Sequence, residues 1–202
     1  MASTGVGLAR AERTAGDLLD ALQVGALVGM GVCGGLSPDL AAGAVVVGEE
    51  VWGPSGKASP DPAWLRRARN TRVEPGILMS VPAIASSRET KSRLLAELPP
   101  GAVAGVDMES AAWARAAEAR GVPHLVLRIV LDPAGEELPK VLESCQDGEG
   151  GLRRGYVARE ALLHPEIIPA LVSLDRRMRS SAGSLAEALL AVLAETPSPG
   201  ER

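Results

Sequence analysis

The sequence contains no phenylalanine, and its other aromatic residues are three tryptophans and one tyrosine. The core therefore has to be built from Leu, Val, Ile and Ala. A flat ligand could stack only on Trp52, Trp64, Trp113 or Tyr156. Cysteine and histidine are scarce as well, with two of each. Cys33 and Cys145 lie far apart, in no metal spacing, and no Cys/His cluster accompanies them. That argues against a structural zinc site, and no metal is expected. Nothing in the placement of the two thiols suggests a disulfide. Long hydrophobic runs are missing too: no apolar stretch reaches about 18 residues, the usual minimum for a spanning helix. The N-terminal MASTGVGLARAERTA lacks the extended apolar segment of a secretory signal. These absences leave a cytoplasmic protein as the expectation. Positive charge is not in excess either. A net charge of −4 argues against binding nucleic acid through its phosphates.

What is present suits one domain. The 202 residues can bury one good core but are short for two. A single domain is expected over 1–195, with the tail TPSPGER, from 196 on, disordered. AERTAGDLLDALQ (11–23) carries apolar residues at helical spacing. ALVGMGVCGGL (26–36) reads as a buried strand ending in a tight glycine turn, and AGAVVVGEEVW (42–52) is β-branched like a strand. GPSGKASPDP (53–62) reads as a loop, and PAWLRRARN as a short helix. GILMSVPAIAS (76–86) is strand-like, and SSRETKSRLLAEL (86–98) is a helix with Ser86 or Ser87 as its N-cap. AGVDM (104–108) reads as a short strand. The helix MESAAWARAAEAR follows it and stops at Gly121. HLVLRIVL (124–131) is the near-continuous apolar run of a parallel strand buried on both faces. Residues 134–151 look irregular. The remainder reads as three helices: LRRGYVAREALL, PEIIPALVSLDRRMRSS and SLAEALLAVLA. Strands alternating with helices predict an α/β fold with a mostly parallel, mixed central sheet flanked by helices. No internal repeat is visible.

Ligands in such folds sit at the carboxyl ends of strands, and three chemically distinctive segments fall there. The first is Asp107-Met108-Glu109. A carboxylate at Glu109 can favour the first turn of a helix by about 0.3–1 kcal/mol, although Asp107 already fits the N-cap position. Alternatively, Glu109 can accept two hydrogen bonds from a diol such as a ribose, since a carboxylate is acceptor-only and bidentate. The second is Asp132, before Pro133. It is either a turn-initiating Asp-Pro or a partly desolvated acid able to donate a proton. The third is the stretch Val32-Cys33-Gly34-Gly35. It is either a tight turn or a place where backbone N–H groups approach a ligand closely. It matches neither GxGxxG nor a P-loop. Cys33 reads as a small buried residue. No GxSxG is present, and neither His124 nor His164 has the context of a catalytic base.

Together, GVCGGLSPDLAAGAVVV and GVDMESAAWARAAEARGVPHLVLRIVLDPA resemble the nucleoside phosphorylase/nucleosidase superfamily. The resemblance covers residues 5–192. It rests on a glycine turn followed by a strand, a Met-Glu helix start, and a strand ending in Asp. Within that superfamily GGLSPDL, the DPA after the last strand, ELP beyond it and LHPEIIPALVSL are similar to the hopanoid-associated phosphorylases, or adenosylhopane nucleosidases. The resemblance implies cleavage of the N-glycosidic bond of a purine nucleoside, with release of adenine from a nucleoside-linked hopanoid. A methylthioadenosine/adenosylhomocysteine-type nucleosidase and a catalytically impaired nucleoside-binding relic are the alternatives.

It also implies roles for particular residues. Glu109 would bind the ribose hydroxyls and Met108 would pack on the sugar. Asp132 would protonate the purine at N7. Val32, Cys33 and Gly34 would line the sugar or nucleophile side, and Ile84 would contact the base. Water or phosphate would attack; no cofactor is implied beyond phosphate as a co-substrate. The expected partners are a small purine nucleoside and other copies of the chain, with membrane association only through a lipid-linked substrate. The chain departs from the family pattern in places. Ala44 stands in a usually acidic position, Val32 replaces a Ser/Thr before the glycine turn, and Leu131 replaces a Ser before Asp132. The first glycine segment, Gly5-Val6-Gly7, matches a later part of the family pattern, so the sheet is expected to lack the family's first strand and to expose an edge.

Overall fold

A computed structural model describes residues 7–145 and 153–195. In chain order the elements are α1 (Leu8–Ala21), β1 (Leu27–Gly35), β2 (Val45–Gly53), β3 (Gly56–Ala58), α2 (Pro62–Arg69), β4 (Glu74–Ser80) and α3 (Arg88–Ala96). They continue with β5 (Ala104–Asp107), α4 (Ser110–Glu118), β6 (His124–Asp132), α5 (Val141–Ser144), α6 (Arg154–Leu163) and α7 (Ile168–Ala194). A single 3-10 turn, Pro165–Ile167, leads into α7.

The sheet is mixed, as expected, and it closes on itself. β1 and β6 run parallel, from Leu27 opposite His124 to Cys33 opposite Val130. β2, β4 and β5 run parallel to one another. The two groups meet antiparallel at two seams. At one, Gly34 faces Val106 and Gly35 faces Gly105; at the other, Val45 faces Ile129 and Val47 faces Leu127. The order β2-β4-β5-β1-β6 thus returns to β2, with β3 as a short flap on its outer side. The expected open edge is corrected here: β6 is paired on both sides, so its backbone donors and acceptors are used within the ring.

The side chains of β6 alternate between two apolar layers. Val126 and Val130 pack with Cys33, Val46, Val51 and Leu78 and with Ala111 and Ala114 of α4. Leu125, Leu127 and Ile129 pack with Val45 and Val47, against Trp64 and Leu65 of α2 and Leu185 and Val192 of α7. α1 lies on α4 through Ala11, Ala15, Leu19, Ala112, Trp113 and Ala116. Small residues on both helices let them approach closely. α3 covers β4 and β5 through Leu94 and Leu95.

Local chemistry explains several element ends. Asp61 caps α2 by accepting from Ala63 N–H (2.9 Å) and Trp64 N–H (3.1 Å), with Pro62 in the first helical position. Ser87, not Ser86, caps α3, accepting from Thr90 N–H at 3.1 Å. Gly121, at φ 63°, ends α4 where another residue would be strained. Four expectations need correction. Residues 53–62 contain β3, a hairpin flap on β2. The strand expected over 76–86 stops at Ser80, shortly before Pro82. Part of the irregular segment 134–151 is helical, in α5. The two C-terminal helices are one, because Ser181, Leu185 and Val192 bury a continuous face through Gly183 and no proline interrupts it. The expected disordered tail, 196–202, and Gly5-Val6 lie outside the described residues. Among the described residues no helix is long and apolar enough to cross a membrane.

His124 opens β6, buried, and its Nε2 has no hydrogen-bond partner among the described residues. Burial pushes its pKa below the ordinary 6.5, against smaller opposing effects of Glu118 and Asp61. The unfolded chain therefore takes up a proton near pH 6.5 that the folded chain resists, and stability is lost as pH falls below that point. His124→Leu is expected to flatten the thermal-melting curve between pH 7 and 5.5 relative to wild type. Equal slopes in the two proteins would show that His124 does not carry the loss.

Candidate active site

The carboxyl ends of β1, β5 and β6 converge on Gly34. Its backbone lies opposite Val106 on one side and opposite Asp132 on the other. A Cβ at Gly34 would sit 3.1 Å from Asp132 Oδ2 and 3.3 Å from Val106 Cγ1. The expected glycine turn is corrected here: Gly34 lies within β1, just after a bulge at Cys33, and this strand end separates Asp132 from the acidic segment that begins at Asp107.

Asp107 ends β5 and is buried in a dense network. Its Oδ1 accepts from the Ser80 hydroxyl (2.5 Å) and from the backbone N–H groups of Glu109 (3.3 Å) and Ser110 (3.2 Å). Its Oδ2 accepts from the Ser110 hydroxyl and lies 2.6 Å from Arg128 Nε. Asp107 therefore supplies the hydrogen bonds that start α4. Glu109 occupies the N-cap backbone position but caps nothing with its side chain. Its carboxylate turns elsewhere: Oε1 accepts from Gly7 N–H at 3.0 Å, and Oε2 lies 3.3 Å from Arg128 Nη2. The helix-start explanation for the Glu109 carboxylate is thereby replaced by a geometric one. Burial raises its pKa, with Asp107 adding to the rise; Arg128 and the Gly7 amide oppose it.

Arg128 is the residue that sequence reasoning missed on this side. It stands mid-way along β6, 2% exposed, with its guanidinium carbon 4.5 Å from the Trp113 ring centroid. Gly29 and Gly31 on β1 make that room. A Cβ at Gly31 would overlap Arg128 Nη1, and one at Gly29 would overlap the Trp113 ring. The glycines of ALVGMGV thus serve side-chain packing, separately from Gly34 at the strand end.

Asp132 is 4% exposed, and its Oδ2 lies 2.6 Å from the Nζ of Lys91, a side chain 1% exposed. Lys91 Nζ also donates to the carbonyls of Pro133 (2.8 Å) and Glu136 (2.9 Å). Burial raises the Asp132 pKa, and Lys91 opposes the rise. Beyond it, Arg177 of α7 donates to the Leu131 carbonyl (2.9 Å) and to Glu136 Oε2 (2.8 Å), which holds Glu136 below the usual carboxylate range. Lys91 was also missed. Its signal was its place three and four residues before Leu94 and Leu95, on the apolar side of α3.

The other residues singled out in the sequence fall as follows. Cys33 is buried with its Sγ toward Gly105, and burial pushes its thiol pKa far up, so it carries no thiolate. Val32 points to the opposite layer, packing with Val28 and Met30 near α7. Met108 is buried between Asp107 and Glu109. Ile84 is half-buried in the irregular segment between β4 and α3. Among the described residues, no three His, Cys, Asp or Glu side chains gather as metal ligands.

The chain belongs to the phosphorylase superfamily, whose family model matches residues 1–151. Solved structures agree in fold. An S-adenosylhomocysteine nucleosidase from Streptococcus pyogenes, in complex with 5-methylthiotubericidin, superposes with a TM-score of 0.70 at 18% identity, over 94% of this chain and 76% of that one. Futalosine hydrolase of Helicobacter pylori gives 0.70 at 20%, over 96% and 78%. A 5'-methylthioadenosine/S-adenosylhomocysteine nucleosidase from Colwellia psychrerythraea, in complex with adenine, gives 0.71 at 20%, over 95% and 75%. At these identities the likeness is one of fold. No curated protein matches the chain by sequence.

The network predicts a specific sensitivity. Arg128→Met leaves Asp107 and Glu109 buried without their cation, and is expected to lower the unfolding free energy by about 3–5 kcal/mol. Gly31→Ala, which drives a methyl group into the same guanidinium, is expected to cost about 1–3 kcal/mol. Urea unfolding monitored by tryptophan fluorescence measures both. Losses under about 0.5 kcal/mol, typical of surface substitutions, would contradict the network.

Proposed function

We propose that this protein cleaves the N-glycosidic bond of a purine nucleoside and releases adenine. The observation that carries the reading is the pair of buried carboxylates, Glu109 and Asp132, following β5 and ending β6 on either side of Gly34 at the end of β1. Membership of the phosphorylase superfamily supports it, as do structural neighbours that are nucleosidases. Glu109 keeps lone pairs beyond those used by Gly7 and Arg128, and it can accept hydrogen bonds from a vicinal diol. Asp132, with its raised pKa, can carry a proton to the purine N7. The glycosidic bond then breaks with its electrons moving onto the base, the sugar gains oxocarbenium character, and water or phosphate adds at the anomeric carbon. Met108 packs beside the sugar and Ile84 toward the base.

The favoured substrate is an adenosyl-hopanoid, on the strength of GGLSPDL, DPA, ELP and LHPEIIPALVSL. The second reading is a methylthioadenosine/adenosylhomocysteine-type nucleosidase. Two of the neighbours named above, from Streptococcus and Colwellia, favour it. Glu109 and Asp132 are 9% and 4% exposed, so substrate must displace part of what covers them. A chain in which that displacement never occurs would bind no nucleoside and turn none over. The functional unit proposed is a homo-oligomer acting on a small-molecule substrate, with no metal and no organic cofactor.

Adenine release from adenosine, methylthioadenosine and an adenosyl-hopanoid analogue, each with and without phosphate, tests the reading. Release is expected from at least one, and phosphate dependence distinguishes phosphorolysis from hydrolysis. No release from any of them would overturn it, and nucleoside binding without release would mark a catalytically impaired relic. Glu109→Ala is expected to abolish nucleoside binding while leaving free adenine bound; equal loss of both would remove the sugar role. Asp132→Asn is expected to lower kcat by about 10²–10⁴-fold with KM nearly unchanged. Unchanged kcat would take Asp132 out of the reaction.

A further inference from the structure

Lys91 is among the largest fully buried side chains of the molecule. An ammonium removed from water costs several kcal/mol unless every proton is matched. Here the match is complete. Nζ meets Asp132 Oδ2 at 2.6 Å, the Pro133 carbonyl at 2.8 Å and the Glu136 carbonyl at 2.9 Å. The Asp132 carbonyl, at 3.4 Å, adds a fourth oxygen around its three protons. At this position on the apolar side of α3, a leucine would pack beside Leu94 and Leu95 without any desolvation cost. What a leucine could not do is touch Asp132. The residue before Asp132 is Leu131, whose side chain offers no hydrogen bond, so the partner of the carboxylate comes from a different element altogether.

We propose that Lys91 is the positioning residue for Asp132: it fixes the carboxylate through Oδ2 and stabilises the anion left once Asp132 has passed its proton to the purine. This rests on the reading of Asp132 as proton donor. The step balances: the proton leaves Asp132 for N7, the glycosidic electron pair moves to the base, and the new carboxylate is met by an ammonium already in place. Other groups around Asp132 do not substitute for Lys91. Glu136, on the same segment, is committed to Arg177 of α7. Arg177 reaches the Leu131 carbonyl instead of the Asp132 carboxylate. Cys33, from β1, is a neutral thiol, and the Asp107–Arg128 pair lies on the other side of Gly34.

The test uses the full chain with Lys91→Met and Lys91→Arg. The Asp132 carboxyl is followed by carbon-13 NMR against pH, assigned with Asp132→Asn, and the pH profile of adenine release is measured in parallel. Lys91→Met is expected to raise the carboxyl midpoint by about one pH unit or more, because the main group opposing burial is then gone and only the weaker effect of Arg177 remains. It should also cut kcat at least about tenfold, with KM within about twofold. Lys91→Arg should restore the midpoint most of the way. An unmoved midpoint in Lys91→Met would reduce Lys91 to a packing residue and overturn the proposal. Lys91→Gln, which keeps two N–H donors without the charge, serves where the methionine variant does not fold, and the same titration decides it. If wild type releases no adenine, the function fails, but the titration still decides the Lys91–Asp132 coupling. A rate profile that stays put while the midpoint moves would remove Asp132 as donor without touching that coupling.

Discussion

The structure depends on one buried ion pair, Arg128 with Asp107. An arginine in the middle of a strand buried on both faces would be intolerable alone. It is tolerated because β5 ends in a carboxylate 2.6 Å from its Nε, because Ser110 and Glu109 take further contacts, and because Gly31 on β1 leaves the space it fills. Each of these features belongs to a different element. The pair therefore ties β1, β5, β6 and the start of α4 to one another. Through Glu109 and Gly7 it also reaches the start of α1. The site inherits its geometry from that tie.

A second charge pair, Lys91 with Asp132, repeats the arrangement on the other side of Gly34. The two carboxylates with the most distinctive sequence contexts are thus each opposed by a buried cation. Burial alone would neutralise them, and the cations oppose that. Burial raises the proton affinity of Glu109 and Asp132, and Arg128 and Lys91 oppose that rise.

Much of this was legible in the sequence. Periodicity and turn chemistry located most strands and helices, and the strand ends pointed to Asp107, Glu109, Asp132 and Gly34. The partners of those residues were less visible, for different reasons. Arg128 was hidden by being read as part of an apolar run, although a lone arginine inside a doubly buried strand, with an acidic pair upstream, was a signal. Lys91 sat on the apolar side of a helix whose other face is charged, and there a long polar residue passes unnoticed. Gly29 and Gly31 were read only as part of the strand, yet their role is to make space for side chains from α4 and β6. Val32 looked like part of the turn, but strand alternation sends it to the opposite layer. The closure of β2 on β6 left no local trace, since it pairs segments that share no motif and differ only in their neighbours.

That closure bears on how the chain reaches its fold. The seam at Val45 and Ile129 joins stretches far apart in the chain, and the seam at Gly34 and Val106 spans nearly as far. Each seam closes a long loop, whose entropic cost is met only once the intervening strands and helices are in place. The ring is then held like a clasp at those two seams. A partly opened molecule bares two unpaired strand borders at once, the kind of surface on which chains stick to one another.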